Sequence, residues 1–198
     1  MSGELAPKGP MGAAGRAAAV LAVVVVAVMW AHVLLAYGRL PEKIPTRFDE
    51  EGRPAAYGSK RSLLAMVAVF TIAPALVLAI VWFRFTLVNK YSYLVSLPAF
   101  FIRLRGLPPG ERSRFVNRYF EAMSAIALLL AVLMYLLELS ILKAAAGRAM
   151  AVKFIPVAVV SWVAVVMAGL ILYLRRLSRE LEEALKEHEA PGAAGLQA

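Results

Sequence analysis

Two ionisable side chains, those of His32 and Glu138, lie inside long apolar stretches of the sequence. A charged group is costly in hydrocarbon, so an ionisable residue within a membrane span indicates pairing or function. If the helices that carry them touch, the imidazole and the carboxylate can pair, with Tyr37 and Arg47 near enough to join. Alternatively, each side chain extends to the lipid head groups at the end of its helix. The sequence favours this second interpretation.

The motifs of known catalytic sites are absent from the sequence. It contains no H-E-x-x-H, no G-x-S-x-G, no Walker loop and no dinucleotide-binding fingerprint. Cysteine is absent and His32 and His188 are the only histidines, so neither thiolate nor histidine ligation of a metal is expected. We therefore expect a protein that is not an enzyme and that needs no cofactor.

Hydrophobic helices must position these side chains. Of the 198 residues, 61% are hydrophobic, and four apolar runs of about 20 residues match the roughly 30 Å hydrocarbon core of a bilayer. The net charge of +9 comes from basic residues that flank these runs, so nucleic acid is not an expected partner. The sequence predicts an all-α, polytopic membrane protein with four transmembrane helices.

The four predicted spans belong to one transmembrane domain, residues 17–189. They cover residues 17–37, 62–83, 122–142 and 154–174. The flanking tails, residues 1–16 and 190–198, are predicted to be disordered because they are short and contain many small residues.

The fourth span continues as a helix with leucines at helical spacing. These are Leu174, Leu177, Leu181 and Leu185. A short dimerisation seam could produce this pattern, and a homo-oligomer stays open, but fewer than three heptads favour a solvated helix end.

The distribution of Lys and Arg predicts the orientation. With the N-terminus inside, the inner segments hold 13 of these residues and the outer segments hold 9. This bias predicts a multi-pass protein of the cell membrane with both termini in the cytoplasm. The loop at residues 38–61 is then extracytoplasmic, and the loop at residues 84–121 is cytoplasmic.

The first loop contains the most distinctive stretch, residues 40–60, which we call the strap. Its rigid and turn-forming residues are Pro41, Pro45, Gly52, Pro54 and Gly58. The apolar residues Ile44, Phe48 and Tyr57 are unusual for a mobile polar linker, so we expect an ordered cap packed on one membrane face. An ordinary connecting loop is the alternative.

The strap resembles the domain of unknown function found in SdpI-type immunity proteins, membrane proteins that protect bacteria from a killing toxin. The matching positions are Leu40, Pro41, Ile44, Pro45, Thr46, Phe48, Gly52, Pro54, Tyr57, Gly58, Ser59 and Lys60. The resemblance covers residues 31–81 and implies a membrane protein of the SdpI-like kind.

Two positions depart from the pattern of that family, which usually has His at Arg47 and commonly Asp at Ala55. A role that requires a titrating imidazole or a carboxylate at the strap is therefore not implied. The residues that we expect to bind a partner or to maintain the strap are Pro41, Ile44, Pro45, Arg47, Phe48, Gly52, Pro54, Tyr57, Gly58 and Lys60.

Residues 91–105, between the second and third spans, are too short and too interrupted to cross a membrane. Their apolar residues share one helical face, which predicts a segment in the membrane interface, broken at Pro98. Alternatively, this face packs on the helices of the protein itself. The side chains expected to contact anionic lipid head groups are Arg103, Arg105, Arg112, Arg114 and Arg118.

Two functions of different classes fit these observations. The first is a non-enzymatic binding, immunity or signalling protein whose outer strap binds a peptide or protein partner. The second is a small transport or permeation protein with a polar path near His32 and Glu138. Few polar groups are available inside the spans, which disfavours a transport path.

Overall fold

Four long apolar helices form the architecture of this protein in a computed structural model, which describes residues 5–49, 54–91, 98–145 and 155–194. The helices are α1 (Ala13–Tyr37), α2 (Arg61–Trp82), α3 (Arg84–Lys90), α4 (Pro98–Arg103), α5 (Pro109–Ala145) and α6 (Ile155–Ala194). The strands β1 (Lys43–Phe48) and β2 (Pro54–Ser59) pair between α1 and α2. Because α1, α2, α5 and α6 are each long and apolar enough to cross a bilayer, the predicted all-α membrane fold is confirmed.

Helix α5 is central and packs along both α1 and α2. Small residues allow the close approach of α1 and α5, since Ala22, Ala127 and Ala131 are all fully or almost fully buried. Near the start of α1, a Cβ on Gly15 would lie only 2.4 Å from Cγ of Glu121, so a larger residue does not fit there. The two helices therefore run side by side in the same direction.

Helices α1 and α2 are joined by a hydrogen bond within their apolar segments. The indole Nε1 of Trp30 donates to Oγ1 of Thr71 at 2.9 Å, and that hydroxyl donates to the Val67 carbonyl at 2.9 Å. A polar pair inside an apolar bundle is stabilising when both groups find partners. Pro74 lies one turn further along and does not end α2.

Helix α6 packs on α5 through its second half. Leu177 and Leu181 are each 1% exposed and belong to the core at that end of the bundle, so the expectation of a solvated helix end is wrong. The helix continues to Ala194, past residue 190, where the sequence predicted disorder. Its first half stands away from α1 and α5 and leaves an apolar groove of about 780 Å³.

Of the segment predicted to lie in the membrane interface, residues 92–97 lie outside the described residues. Residues 98–105 are helical, as predicted, and pack on the protein itself. The aromatic rings of Phe101 and Tyr119 meet edge to face, with centroids 5.2 Å apart, and Phe101 and Leu104 are completely buried. For residues 98–105, these contacts favour packing of the apolar face on the protein's own helices over a position in the membrane interface. Helix α5 begins at Pro109 and continues without a break into the third span.

The N-terminal segment differs from the predicted disordered tail. Ala6 is fully buried, and α1 begins at Ala13 rather than at residue 17. The amide group of Asn89 makes two hydrogen bonds to the backbone of Ala6, accepting from its N–H and donating to its carbonyl, both at 3.0 Å. Backbone groups that are paired in this way hold the segment against the bundle.

Candidate functional site

The described residues of the strap form two antiparallel strands, β1 and β2, which we call the hairpin (residues 43–48 and 54–59). Ile44 faces Gly58 and Pro45 faces Tyr57 in the ladder, with irregular register beyond Pro45. At Gly58 a Cβ would lie 2.7 Å from Cγ2 of Thr46, so a larger residue would require the Thr46 side chain to move. The expectation of an ordered, extended strap is met for these residues.

Ile44 anchors the hairpin to the helix bundle. Its side chain is 2% exposed and packs in a cluster with Met29 and Val33 of α1, Leu63 of α2 and Leu142 of α5. Burying one such side chain contributes roughly 1.5 to 3 kcal/mol. The hairpin is therefore a cap on one end of the bundle, which we call the hairpin end.

Lys60 connects the hairpin to α1. Its Nζ lies 2.7 Å from Oε1 of Glu42 and 5.1 Å from the centre of the Tyr37 ring, and its backbone N–H donates to the Glu42 carbonyl at 2.9 Å. These contacts give Lys60 a structural role, since its side chain is only 20% exposed. They also engage Tyr37, which the sequence had placed near His32 and Glu138.

Two side chains of the hairpin, those of Tyr57 and Arg47, are exposed. Tyr57 is 62% exposed, contrary to the expectation that it would be buried, and Arg47 is exposed as well. Tyrosine and arginine are the residue types that most often dominate protein–protein contacts. Gly52 and the side chains of Phe48 and Pro54 lie outside the described part of the chain, so the roles predicted for these three residues stay predictions.

His32 and Glu138 meet at the hairpin end of the bundle. Nδ1 of His32 lies 3.8 Å from Oε2 of Glu138, and the Glu138 side chain is completely buried. Glu138 therefore does not extend to the head groups. The two side chains approach each other, as in the first interpretation, but 3.8 Å is longer than a hydrogen bond and Tyr37 contacts Lys60 instead. Within the described residues, Nδ1 of His32 and both carboxylate oxygens of Glu138 are buried without a hydrogen-bond partner.

A cavity lies beside this pair at the hairpin end. Its volume is about 490 Å³, and His32 lines it together with the basic side chains of Arg39 and Lys143. The remaining lining is aliphatic, and Glu138 is not part of it. The imidazole thus stands between the cavity and the buried carboxylate.

At the other end of the bundle, a polar network holds the N-terminal segment. Arg84 donates to Oδ1 of Asn117 at 2.9 Å and to the Gly9 carbonyl at 3.2 Å, while the Ser113 hydroxyl donates to the Pro7 carbonyl at 2.6 Å. Burial lowers the pKa of Arg84 from its ordinary value. Sequence reasoning missed this network, although Asn89 and Asn117 are the only asparagines in a very apolar chain and were the available signal.

The five arginines predicted to contact lipid occupy this same end, which we call the basic end. Arg103 bonds to Glu182 at 2.7 Å, Arg118 bonds to Glu180, and Arg112 donates to the Arg105 carbonyl at 2.9 Å. Arg105 and Arg114 have exposed side chains. The structure therefore gives three of the five an intramolecular role, and lipid contact stays a prediction.

A family model matches the hairpin and parts of the helices that hold it. The profile of a family described as "Domain of unknown function (DUF1648)" matches residues 24–72. These residues contain much of α1, the whole hairpin and the first half of α2, including His32 and the Trp30–Thr71 pair. The match therefore coincides with the hairpin end of the bundle.

One curated relative is an "Uncharacterized protein" of the archaeon Archaeoglobus fulgidus. It is 41% identical over 121 residues, which make up 61% of this chain and 66% of the relative, just under two thirds of its length. A search of solved structures gave no match. The chain is thus similar to an archaeal protein, and residues 24–72 match a domain of unknown function. The chain itself has four helices long and apolar enough to cross a membrane.

Proposed function

We propose that this protein is a non-enzymatic binding protein of the cell membrane whose hairpin takes a peptide or protein partner, as in an SdpI-type immunity or signalling protein. The observation that carries the proposal is a hairpin that is anchored to the bundle by a buried residue and exposes other side chains. Ile44 fixes one face to the bundle, and Tyr57 and Arg47 are exposed on the ordered strands. A rigid exposed aromatic residue loses little conformational entropy on binding, which favours affinity.

The proposal also assigns an orientation, with both termini in the cytoplasm and the hairpin outside. The excess of Lys and Arg in the segments at the basic end supports this orientation. A partner that arrives from outside the cell would then meet the hairpin first.

Transport is less well supported as a function. A permeation path needs several polar groups in contact with water. The buried Glu138 carboxylate does not line the cavity at the hairpin end, and the walls of that cavity other than His32, Arg39 and Lys143 are aliphatic.

A site-specific photo-crosslinker tests the binding proposal. Incorporated at Tyr57, it is expected to give a discrete protein or peptide adduct in native membranes, and Arg47→Ala in the same chain should weaken that adduct. The matched control is the same crosslinker at Val69, which is exposed on the apolar surface of α2. Identical adducts from both positions would reject the hairpin as the binding surface.

Growth protection tests the immunity form of the proposal. Cells that make the protein are expected to survive a membrane-active peptide toxin better than cells that make the Tyr57→Ala variant, at equal amounts of protein in the membrane. Equal survival of the two strains, together with an adduct at Tyr57, would retain partner binding and reject immunity.

A further inference from the structure

We propose that Glu138 holds a proton as a neutral carboxylic acid, and that this proton is loaded and released through His32 from the hairpin end of the bundle. The inference does not depend on a partner at the hairpin. It begins with three buried polar atoms: Nδ1 of His32 and both side-chain oxygens of Glu138 have no hydrogen-bond partner among the described residues.

Burial decides which group carries the proton. Glu138 is completely buried, whereas the His32 side chain is 39% exposed. A carboxylate without hydrogen bonds in an apolar environment is strongly disfavoured, while a protonated carboxyl group carries no charge to desolvate. The neighbours one turn away along α5, Met134 and Leu142, belong to the hydrophobic cluster that also contains Ile44.

A metal ion does not fit this position. The described residues include no group of three His, Asp or Glu side chains that could hold one. Calcium and magnesium require about six or more oxygen ligands, and the Glu138 carboxylate supplies two. A proton needs only one acceptor, so it is the ligand that matches these atoms.

The basic groups near the pair disfavour a bound metal cation. Arg39 at the end of α1 and Lys143 on α5 line the cavity that His32 faces, and they repel small cations that enter it. Tyr135, one turn before Glu138, places its ring 6.1 Å from that of His32. Helix α2 has no ionisable side chain between Ser62 and Trp82, and Lys60 of the hairpin is bound to Glu42.

The transfer conserves atoms and charge. A hydronium ion in the cavity gives a proton to the imidazole and becomes water, and the imidazole becomes an imidazolium. The Nδ1–H bond then breaks as an O–H bond forms on Oε2 of Glu138, leaving a neutral imidazole and a neutral carboxylic acid. Because 3.8 Å is longer than a hydrogen bond, a small rotation of either side chain must precede the transfer.

Infrared difference spectroscopy of the whole protein in nanodiscs tests where the proton is. At neutral pH we expect the C=O stretch of a protonated carboxyl group, and Glu138→Gln should abolish it. The matched control is Glu121→Gln, which removes the other acidic group in the apolar part of α5, where it accepts a bond from Gly12, and should leave the band unchanged. A spectrum in which Glu138→Gln removes only carboxylate bands would overturn the proposal in favour of an ion pair.

The pH dependence of the melting temperature provides a second measurement if the infrared band is obscured. Glutamine resembles the neutral acid in shape and charge, so Glu138→Gln should melt at the same temperature as the parent protein at neutral pH. At alkaline pH the parent should lose stability as the buried group becomes charged, and the variant should not. A variant that is equally destabilised at every pH would contradict a neutral Glu138.

His32 positions and relays the proton of Glu138. The rate of proton exchange at Glu138 distinguishes this role from a contribution of His32 to packing alone. In His32→Phe, the equilibrium carboxyl band should persist, while its exchange after a pH jump should slow by about 100-fold, the lower end of what a positioned proton donor contributes. In oriented proteoliposomes, the band should respond to a pH jump on the hairpin side and not to one on the basic side. Equal rates in the two proteins, or a response from the basic side, would reject the relay.

Discussion

The carboxylate of Glu180 on α6 bonds to the guanidinium of Arg118 on α5, and this ion pair joins the two helices at the basic end. Arg176, one turn earlier on α6, adds a second bond to Glu180 at 3.1 Å. The Tyr173 hydroxyl donates to the backbone carbonyl of Arg118 at 3.0 Å beside them. Helix α6 is therefore attached to the bundle by polar contacts and by Leu177 and Leu181, while its first half is exposed.

This ion pair predicts a loss of stability in acid. The hydrogen bond from Arg118 lowers the pKa of Glu180 below its ordinary value. A group with a lowered folded pKa stabilises the protein above its unfolded pKa, and that contribution disappears as pH falls through the folded pKa. Glu180→Gln should therefore cost roughly 0.5 to 1 kcal/mol at neutral pH and nothing at a pH below that folded pKa. Unfolding curves across acidic pH measure this, with Glu183→Gln, an exposed carboxylate on the same helix, as the control.

The hydrogen bond between Trp30 and Thr71 predicts coupling between α1 and α2. Trp30→Phe and Thr71→Val should each destabilise the protein by about 1 kcal/mol, because each leaves a polar group in the apolar bundle without its partner. The double variant should lose less than the sum of the two single losses. Denaturant unfolding in detergent measures the free energy of unfolding of the parent protein, the two single variants and the double variant. Thr71→Ser, which retains the hydroxyl, is the control. Strict additivity would mean that the bond contributes nothing.

Ile44 predicts how firmly the hairpin is attached. Ile44→Ala should destabilise the protein by roughly 2 to 4 kcal/mol because it opens a cavity in the cluster that joins the hairpin to α1, α2 and α5. Tyr57→Ala, on the exposed surface, should change the free energy of unfolding by less than about 0.5 kcal/mol. Equal effects of the two substitutions would show that the hairpin is not docked through Ile44.

The sequence predicted the elements far better than the contacts between them. Apolar runs of bilayer length define the four spans because each run must satisfy its own backbone hydrogen bonds in lipid. The pairing of His32 and Glu138 required knowledge that α1 and α5 lie side by side, and this depends on close packing of Ala22, Ala127 and Ala131, which composition does not reveal. The hairpin was predicted as an extended strap because prolines fix backbone angles, but the sequence did not indicate that its two strands pair, with Ile44 opposite Gly58.

Two predictions at the basic end were wrong because they relied on local composition: the solvated end of α6 and the disordered N-terminal tail. Leu177 and Leu181 lie in a helix with many charged residues, and they become part of a core only through a cluster of residues from other elements, such as Phe101. The N-terminal segment has the composition of a disordered tail, and its order comes from side chains far along the chain, Asn89 and Asn117. Tertiary partners of this kind override local composition.

The proposed orientation predicts a pattern of cysteine labelling. A cysteine at Ser59, which is exposed on the hairpin, should react with a membrane-impermeant thiol reagent added to intact cells. A cysteine at Arg114, which is exposed at the basic end, should react only after the membrane is opened. Ser113 is a poor choice for the inner position because it is 8% exposed and would react slowly on either side. The reverse pattern would invert the orientation and leave the fold unchanged.

Asn89 predicts that the N-terminal segment can be released without unfolding the bundle. Asn89→Ala removes both hydrogen bonds to Ala6, while the hydrophobic core around α5 stays intact. Trypsin cleavage after Lys8 should then become at least about ten times faster, which corresponds to a local opening that is easier by about 1.4 kcal/mol, and the melting temperature should change little. Thr86→Ala, an exposed position on the same short helix α3, is the control and should leave cleavage unchanged. Cleavage of Asn89→Ala at the rate of the parent protein would contradict this prediction. Contacts such as those of Arg84, Ser113 and Asn117 would then be the ones that hold the segment.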